Sequence, residues 1–195
     1  MIVTTQMILG ELKKEYKNPK SKLGRLVKEG KYTPILRGLY ETDPHTPGYL
    51  LSSFYSPSYL SFEYALSRHG LIPEWVRAYT LATYGKNKSK EYDTPFGVYY
   101  CFDVPKKVFG IGVEMIREGD YHYWMAGPEK ALCDKLYDIK PIENKRYIEN
   151  LLFDDLRIDE DGLEKMDRDL IMKLSEHYHC RNVSFFCDYM TEGWK

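Results

Sequence analysis

Several things are scarce in this chain, and each absence narrows the choice. Four cysteines (Cys101, Cys133, Cys180 and Cys187) are scattered over 195 residues with no CxxC pair. That pattern argues against a disulfide framework or a zinc knuckle and suits reduced thiols. No apolar run approaches the ~20 residues needed to cross a bilayer, and no basic-then-apolar leader follows Met1. The expectation is a soluble cytoplasmic protein without a membrane partner. Internal repeats and low-complexity tracts are missing, which excludes solenoids and disordered tails. A surplus of one charge is missing too: the net charge is -1, so the whole molecule is not a glove for phosphate.

The distribution of charge is less even. Residues 1–40 carry nine basic and three acidic side chains, a balance of +6, which leaves -7 on the remainder. A basic head on an acidic body marks the head as a nucleic-acid-binding end. Eighteen tyrosines suit a strand-rich body and name no function.

The organising stretch is 18–41, NPKSKLGRLVKEGKYTPILRGLYE. Asn18 can cap a helix and Pro19 suits its first turn, where no intrahelical N–H partner is needed. Leu23, Leu26 and Val27 share one stripe, while Lys20, Lys22, Arg25 and Lys28 fall off it. Gly30 can end the helix in the left-handed conformation. An extended run over 32–36, a tight turn at Arg37-Gly38 and a return through Leu39-Tyr40 then predict a two-stranded ribbon. Upstream, Thr4 or Thr5 caps a first helix reaching about Tyr16. Two helices across a short break, then a ribbon, form the reading end of a winged helix-turn-helix. A standard head of this kind has a further helix upstream, so this head is expected to be trimmed, or completed by the body.

Two prolines and a glycine within 43–48 mark a boundary, giving expected domains at 1–43 and 44–195. In the second, a short helix over 49–54 and a longer one over 58–69 are followed by a change of period. Strands are expected over 75–84, from Tyr92 onward, and over 96–102, 108–113 and 121–125. They predict a mainly antiparallel sheet of four or five strands. Helices return from Pro128, then over 146–156, 163–178 and 183–190. The fold class is α+β: an N-terminal winged helix-turn-helix, an antiparallel sheet and C-terminal helices.

Ordered strings in the body carry a family likeness: YLSFEYALSRHGLIPE (59–74), TLAT (80–83), TPFGVYYCF (94–102) and MAGPEKALCDKLY (125–137). Together with SKLGRLVKEGKYTPILRGLYE in the head, they resemble the AbiEi-type antitoxins, transcriptional regulators of toxin–antitoxin operons. The likeness covers nearly the whole chain and thins after about 155. It implies a bacterial antitoxin of the abortive-infection type that binds double-stranded operator DNA and represses its own operon. It also implies a nucleotidyltransferase-like toxin encoded nearby.

The expected DNA-binding residues are Lys20, Ser21, Lys22, Arg25 and Lys28 on the helix and Lys31, Thr33 and Arg37 on the ribbon. Arg25 is the candidate for bidentate contact with guanine, because its planar fork matches two acceptors. The lysines suit phosphates. Against this stands the plain reading of a solvated helix face. Elsewhere the plain readings are preferred. Lys130 and Asp134 lie four apart on one helix face, a salt-bridge spacing worth ~0.3–0.5 kcal/mol, and Glu129 suits a helix N-terminus, so a structural element is expected and no catalytic role is assigned there. His177, His179, Cys180 and Cys187 lack metal-ligand spacing, and no cofactor is expected. Lys86, Lys88 and Lys90 read as a solubilising hairpin tip, with a second phosphate-touching edge as the alternative. The expected assembly is a monomer or a dimer formed on DNA. Two rivals remain: a module that neutralises the toxin by contact alone, and a nucleic-acid-processing enzyme, for which no motif-grade constellation is found.

Overall fold

The computed structural model describes residues 1–192. The chain is α+β, with a small N-terminal sheet, a larger mixed sheet and helices gathered toward the C-terminal end. The first unit runs β1 (Ile2–Thr4), α1 (Thr5–Leu12), α2 (Pro19–Lys28), β2 (Thr33–Leu36) and β3 (Leu39–Glu41). The expected two-stranded ribbon, β2 and β3, is present as part of a three-stranded antiparallel sheet in the order β1-β3-β2. Ile2, Val3 and Thr4 supply the extra strand; three β-branched residues in a row favour it, but so short a run has no periodicity to reveal it. Thr4 then caps α1 by accepting from the Met7 N–H. That helix stops at Leu12 rather than near Tyr16, because its end tightens into bonds from Lys14 N to Glu11 O and Glu15 N to Leu12 O.

The larger sheet has six strands: β4 (Ser58–Leu60), β5 (Tyr79–Thr83), β6 (Lys90–Thr94), β7 (Gly97–Asp103), β8 (Val113–Glu118) and β9 (Tyr121–Ala126). They lie in the order β6-β7-β5-β4-β9-β8. The pairs β5–β7 and β4–β9 are parallel, so the sheet is mixed rather than mainly antiparallel.

The stretch 58–69, expected as one helix, opens as the central strand β4 and becomes α3 (Phe62–Arg68) only after Ser61. Tyr59 and Leu60 are fully buried between two neighbouring strands, and this pairing overrides the local helical spacing. The expected strand over 108–113 is instead a 3-10 turn, Lys106–Val108, and a glycine-bearing loop. Pro105 begins the turn, and Gly112, at φ +68°, keeps the chain from extending until Val113.

Helices α4 (Pro128–Asp138), α5 (Glu160–Glu164), α6 (Arg168–Tyr178) and α7 (Arg181–Glu192) complete the body. The single helix expected over 163–178 is two, because Asp167 breaks it and caps the second, accepting from Asp169 N at 2.9 Å and Leu170 N at 3.1 Å. The helix expected over 146–156 is present but opens into a wide π-helical turn at Asn150–Asp155. Helix α4 is the axis of the core: Ala131, Leu132, Cys133 and Leu136 are solvent-free and cluster with Leu174, Val183 and Phe186.

The small sheet rests directly on the body. Ile35 packs with Leu51 and Phe96, and Ile2, Leu36, Leu39 and Tyr121 border this cluster. Beside it the buried Glu41 carboxylate pairs with the Met1 amino group and accepts from Thr42 N at 2.9 Å, Asp43 N at 3.1 Å and the Tyr121 hydroxyl at 2.9 Å. Burial pushes this carboxyl upward, but those donors outweigh it, and its pKa is held below the usual value.

Candidate nucleic-acid interface

The head presents its cationic residues through one well-stopped helix. The Asn18 side chain accepts from Ser21 N at 3.2 Å and Pro19 fills the first turn. At the other end Gly30, at φ +76°, lets Lys31 N bond back to Leu26 O at 2.9 Å and Gly30 N to Val27 O at 3.1 Å, the Schellman closure. Leu23 and Leu26 turn inward with Ile8 of α1. No acidic residue lies between Pro19 and Lys28.

The opposite face is open. Lys20, Ser21, Arg25 and Lys28 are all exposed. Helical spacing puts Ser21, Arg25 and Lys28 along the centre of this face, with Lys20 at its flank. Gly24 lies among them with nothing within 4 Å of where a side chain would begin, so the backbone there can be approached closely. Lys22 departs from the expected group. It is half-buried, and its ammonium lies 5.2 Å from the centroid of the Tyr16 ring at the end of the first helical region. Tyr16 was not singled out in the sequence, and only its place four residues past a helix end could have suggested it. Lys17, exposed just before the Asn18 cap, extends the basic rim and was likewise missed.

The ribbon residues do not form one cluster. Lys31 leaves the C-terminal end of α2, and Arg37 sits at the far turn, roughly 20 Å of extended chain away. Both are exposed, whereas Thr33 is half-buried within β2. Gly38, at φ +90°, makes that turn, and its carbonyl accepts from Thr5 N at 2.9 Å. Arg37 is thereby anchored beside the start of α1. Tyr32 and Tyr40 meet edge to face at 6.4 Å, in keeping with a packing role.

No family model matches the chain. No curated protein matches it either.

The other charged groups occupy different settings. Lys130 and Asp134, expected from their spacing to form a salt bridge, form one that is wholly buried. Asp134 accepts from Lys130 Nζ, from the Tyr178 hydroxyl, from Tyr59 at 2.9 Å and from Ser61 at 2.6 Å. The covering elements are β4 and α6, which spacing within α4 could not disclose. Glu129 is nearly buried and accepts from Asp167 N at 2.9 Å. His179 ends α6 in the left-handed conformation, and among the described residues no group of His, Cys, Asp and Glu is gathered to hold a metal ion. In the 85–90 turn, the Lys86 and Lys90 ammonium groups lie 5.0 Å and 5.4 Å from the Tyr55 ring, while Lys88 points to solvent. Among the described residues no helix is long and apolar enough to cross a membrane.

Proposed function

We propose that this protein is a DNA-binding regulator of the AbiEi antitoxin type that occludes its own promoter. The observation that carries this reading is the outer face of α2, where Ser21, Arg25 and Lys28 stand exposed with Lys20 beside them and no acid intervenes. The strand order β1-β3-β2 around two helices suits the helix pair and wing of a winged helix. In that arrangement α2 enters the major groove, Arg25 meets a guanine edge, and Lys20 and Lys28 meet phosphates. Arg37 and Lys31 brace on the backbone at separate points. The resemblance of the body strings adds the antitoxin role, with a nucleotidyltransferase-like toxin as partner and a cytoplasmic setting.

The test is a gel shift of the full chain on the DNA upstream of its reading frame. Arg25→Glu with Lys28→Glu abolishes the shift if the reading holds. A shift that survives in that folded double variant overturns it. Whether a nucleotidyltransferase-like reading frame lies next to the gene tests the antitoxin role separately.

A second reading, neutralisation of the toxin by contact alone, draws on a different feature. Met115 and Trp124 are cross-strand partners on β8 and β9, at the edge of the large sheet, and both are exposed. An apolar pair beside a free strand edge suits a protein partner. Met115→Lys with Trp124→Lys separates the readings: loss of toxin neutralisation with an intact DNA shift favours contact.

A further inference from the structure

A cavity of about 460 Å³ opens on the body between the 3-10 segment Gly48–Tyr55, helix α3 and the loop beyond it. Its size lies within the range of small-molecule sites. Its lining combines two chemistries. Tyr49, Tyr64, Tyr79 and Trp75 contribute aromatic walls, and Arg68 and Arg77 contribute positive charge.

Three features set it apart from an ordinary surface dent. First, neither guanidinium has an ion-pair partner among the described residues, although Arg68 lies 5.7 Å from the Tyr49 ring centroid. The Glu118 carboxylate, which meets the lining residue Tyr49, is engaged by its hydroxyl at 2.7 Å. Second, the Trp75 indole is 81% exposed, with no ring contact to another aromatic among the described residues. Third, Tyr64 is only 6% exposed, and its hydroxyl, which makes no hydrogen bond among the described residues, is not sealed from solvent and stays open to a ligand's polar group.

These groups ask for one kind of ligand. A free aromatic face stacks on a flat ring, paired guanidinium groups hold a phosphate, and the lone hydroxyl completes a polar contact between them. An acidic peptide would satisfy the arginines and leave the indole bare. An aliphatic chain would cover the indole and leave the arginines unmatched.

We propose that the cavity between Trp75, Tyr64, Arg68 and Arg77 binds a free purine nucleotide, with the base on Trp75 and the phosphates on the two arginines. The site is separate from the α2 face, and it stands or falls independently of DNA binding.

The experiment titrates the full chain with ADP and with GDP, followed by calorimetry and by tryptophan fluorescence. Adenosine and inorganic phosphate serve as half-ligands, and a short single-stranded oligonucleotide serves as the polymer control. Saturable binding of ADP or GDP, with quenched tryptophan emission, is expected. Each half-ligand binds at least about tenfold more weakly, and Arg77→Glu and Trp75→Ala each weaken binding by about tenfold or more. Both side chains are exposed, so an unchanged melting temperature verifies that these variants fold. The proposal is overturned by an absence of saturable heat up to millimolar nucleotide, by unchanged affinity in both variants, or by binding of the oligonucleotide alone.

Discussion

Lys130 and Asp134, one turn apart on α4, meet at 2.9 Å with neither side chain reaching solvent. The pair does not stand alone. Asp134 takes four donors, from α4 itself, from Tyr59 and Ser61 around β4, and from Tyr178 on α6. A carboxylate at the meeting of a sheet and two helices fixes how they dock.

The two members of the pair therefore differ in importance. Asp134→Ala leaves a buried ammonium and three hydroxyls without their acceptor, and a loss of about 3–5 kcal/mol is expected. Lys130→Met keeps the carboxylate and its three hydroxyl donors, and about 1–3 kcal/mol is expected. Urea denaturation of both variants measures the order, and a larger loss for Lys130→Met contradicts the assignment of Asp134 as the hub.

The tyrosines predict how stability responds to base. Burial, then the Asp134 charge, pushes Tyr59 and Tyr178 well above the usual tyrosine value, and burial pushes Tyr99 and Tyr64 the same way. Burial and the hydrogen-bonded Glu118 carboxylate push Tyr49 up to about 12. The folded chain thus keeps protons that the unfolded chain gives up above the ordinary tyrosine value of about 10. This contribution is complete below pH 10 and is lost as pH rises toward the folded values. Each fully buried phenol retained in this way costs about 1.4 kcal/mol per pH unit in that window. The urea midpoint should fall steeply above pH 10, while the share of phenolate absorbance that belongs to these buried tyrosines appears together with unfolding. Phenolate absorbance that rises fully before the fold is lost contradicts this.

How much was legible in advance depended on distance along the chain. Asn18, Pro19, Gly30 and Gly38 act on their immediate neighbours, and their roles as cap, first turn, stop and tight turn follow from chemistry that a short window contains. The strand β4 was not legible. Its Tyr59 falls at helical spacing with Phe62, Ala65 and Leu66, and only pairing with residues 81–83 and with Met125 makes 58–60 a strand. The same holds for the parallel pairs and for the burial of Lys130. On the candidate interface, the exposure of Lys20, Arg25 and Lys28 follows from the apolar stripe opposite them. The tilt of Lys22 toward Tyr16 does not, because it needs the position of α1.

A close approach at Gly48 gives a stability test of the joint between the tyrosine cluster and the β6–β7 hairpin. A side-chain carbon added at Gly48 would lie 2.3 Å from the Phe96 carbonyl oxygen and 2.4 Å from the Tyr79 ring. The Tyr99 hydroxyl also donates to the Gly48 carbonyl at 2.7 Å. Neither the backbone oxygen nor the ring can give way without moving the hairpin. Gly48→Ala is expected to cost about 1–3 kcal/mol, read as a lower urea midpoint. A neutral result would mean that this contact relaxes freely.

The proposed role of the α2 face makes the sharpest prediction, because its members would act differently on a duplex. Lys20→Ala and Lys28→Ala each remove one phosphate contact, so affinity falls alike on all sequences and the log–log salt slope becomes shallower by about 0.9. Arg25→Ala, which removes a base contact, weakens the preferred site by about 1–3 kcal/mol and relaxes preference at one base pair, with little change on random DNA. Lys22→Ala has less effect than either lysine on the open face, because its ammonium is turned toward Tyr16. Gel shifts of the four variants at several salt concentrations, on operator and on random duplex, separate these outcomes. A flat salt response, or Lys22→Ala proving the most damaging, would mean that a different surface meets the duplex.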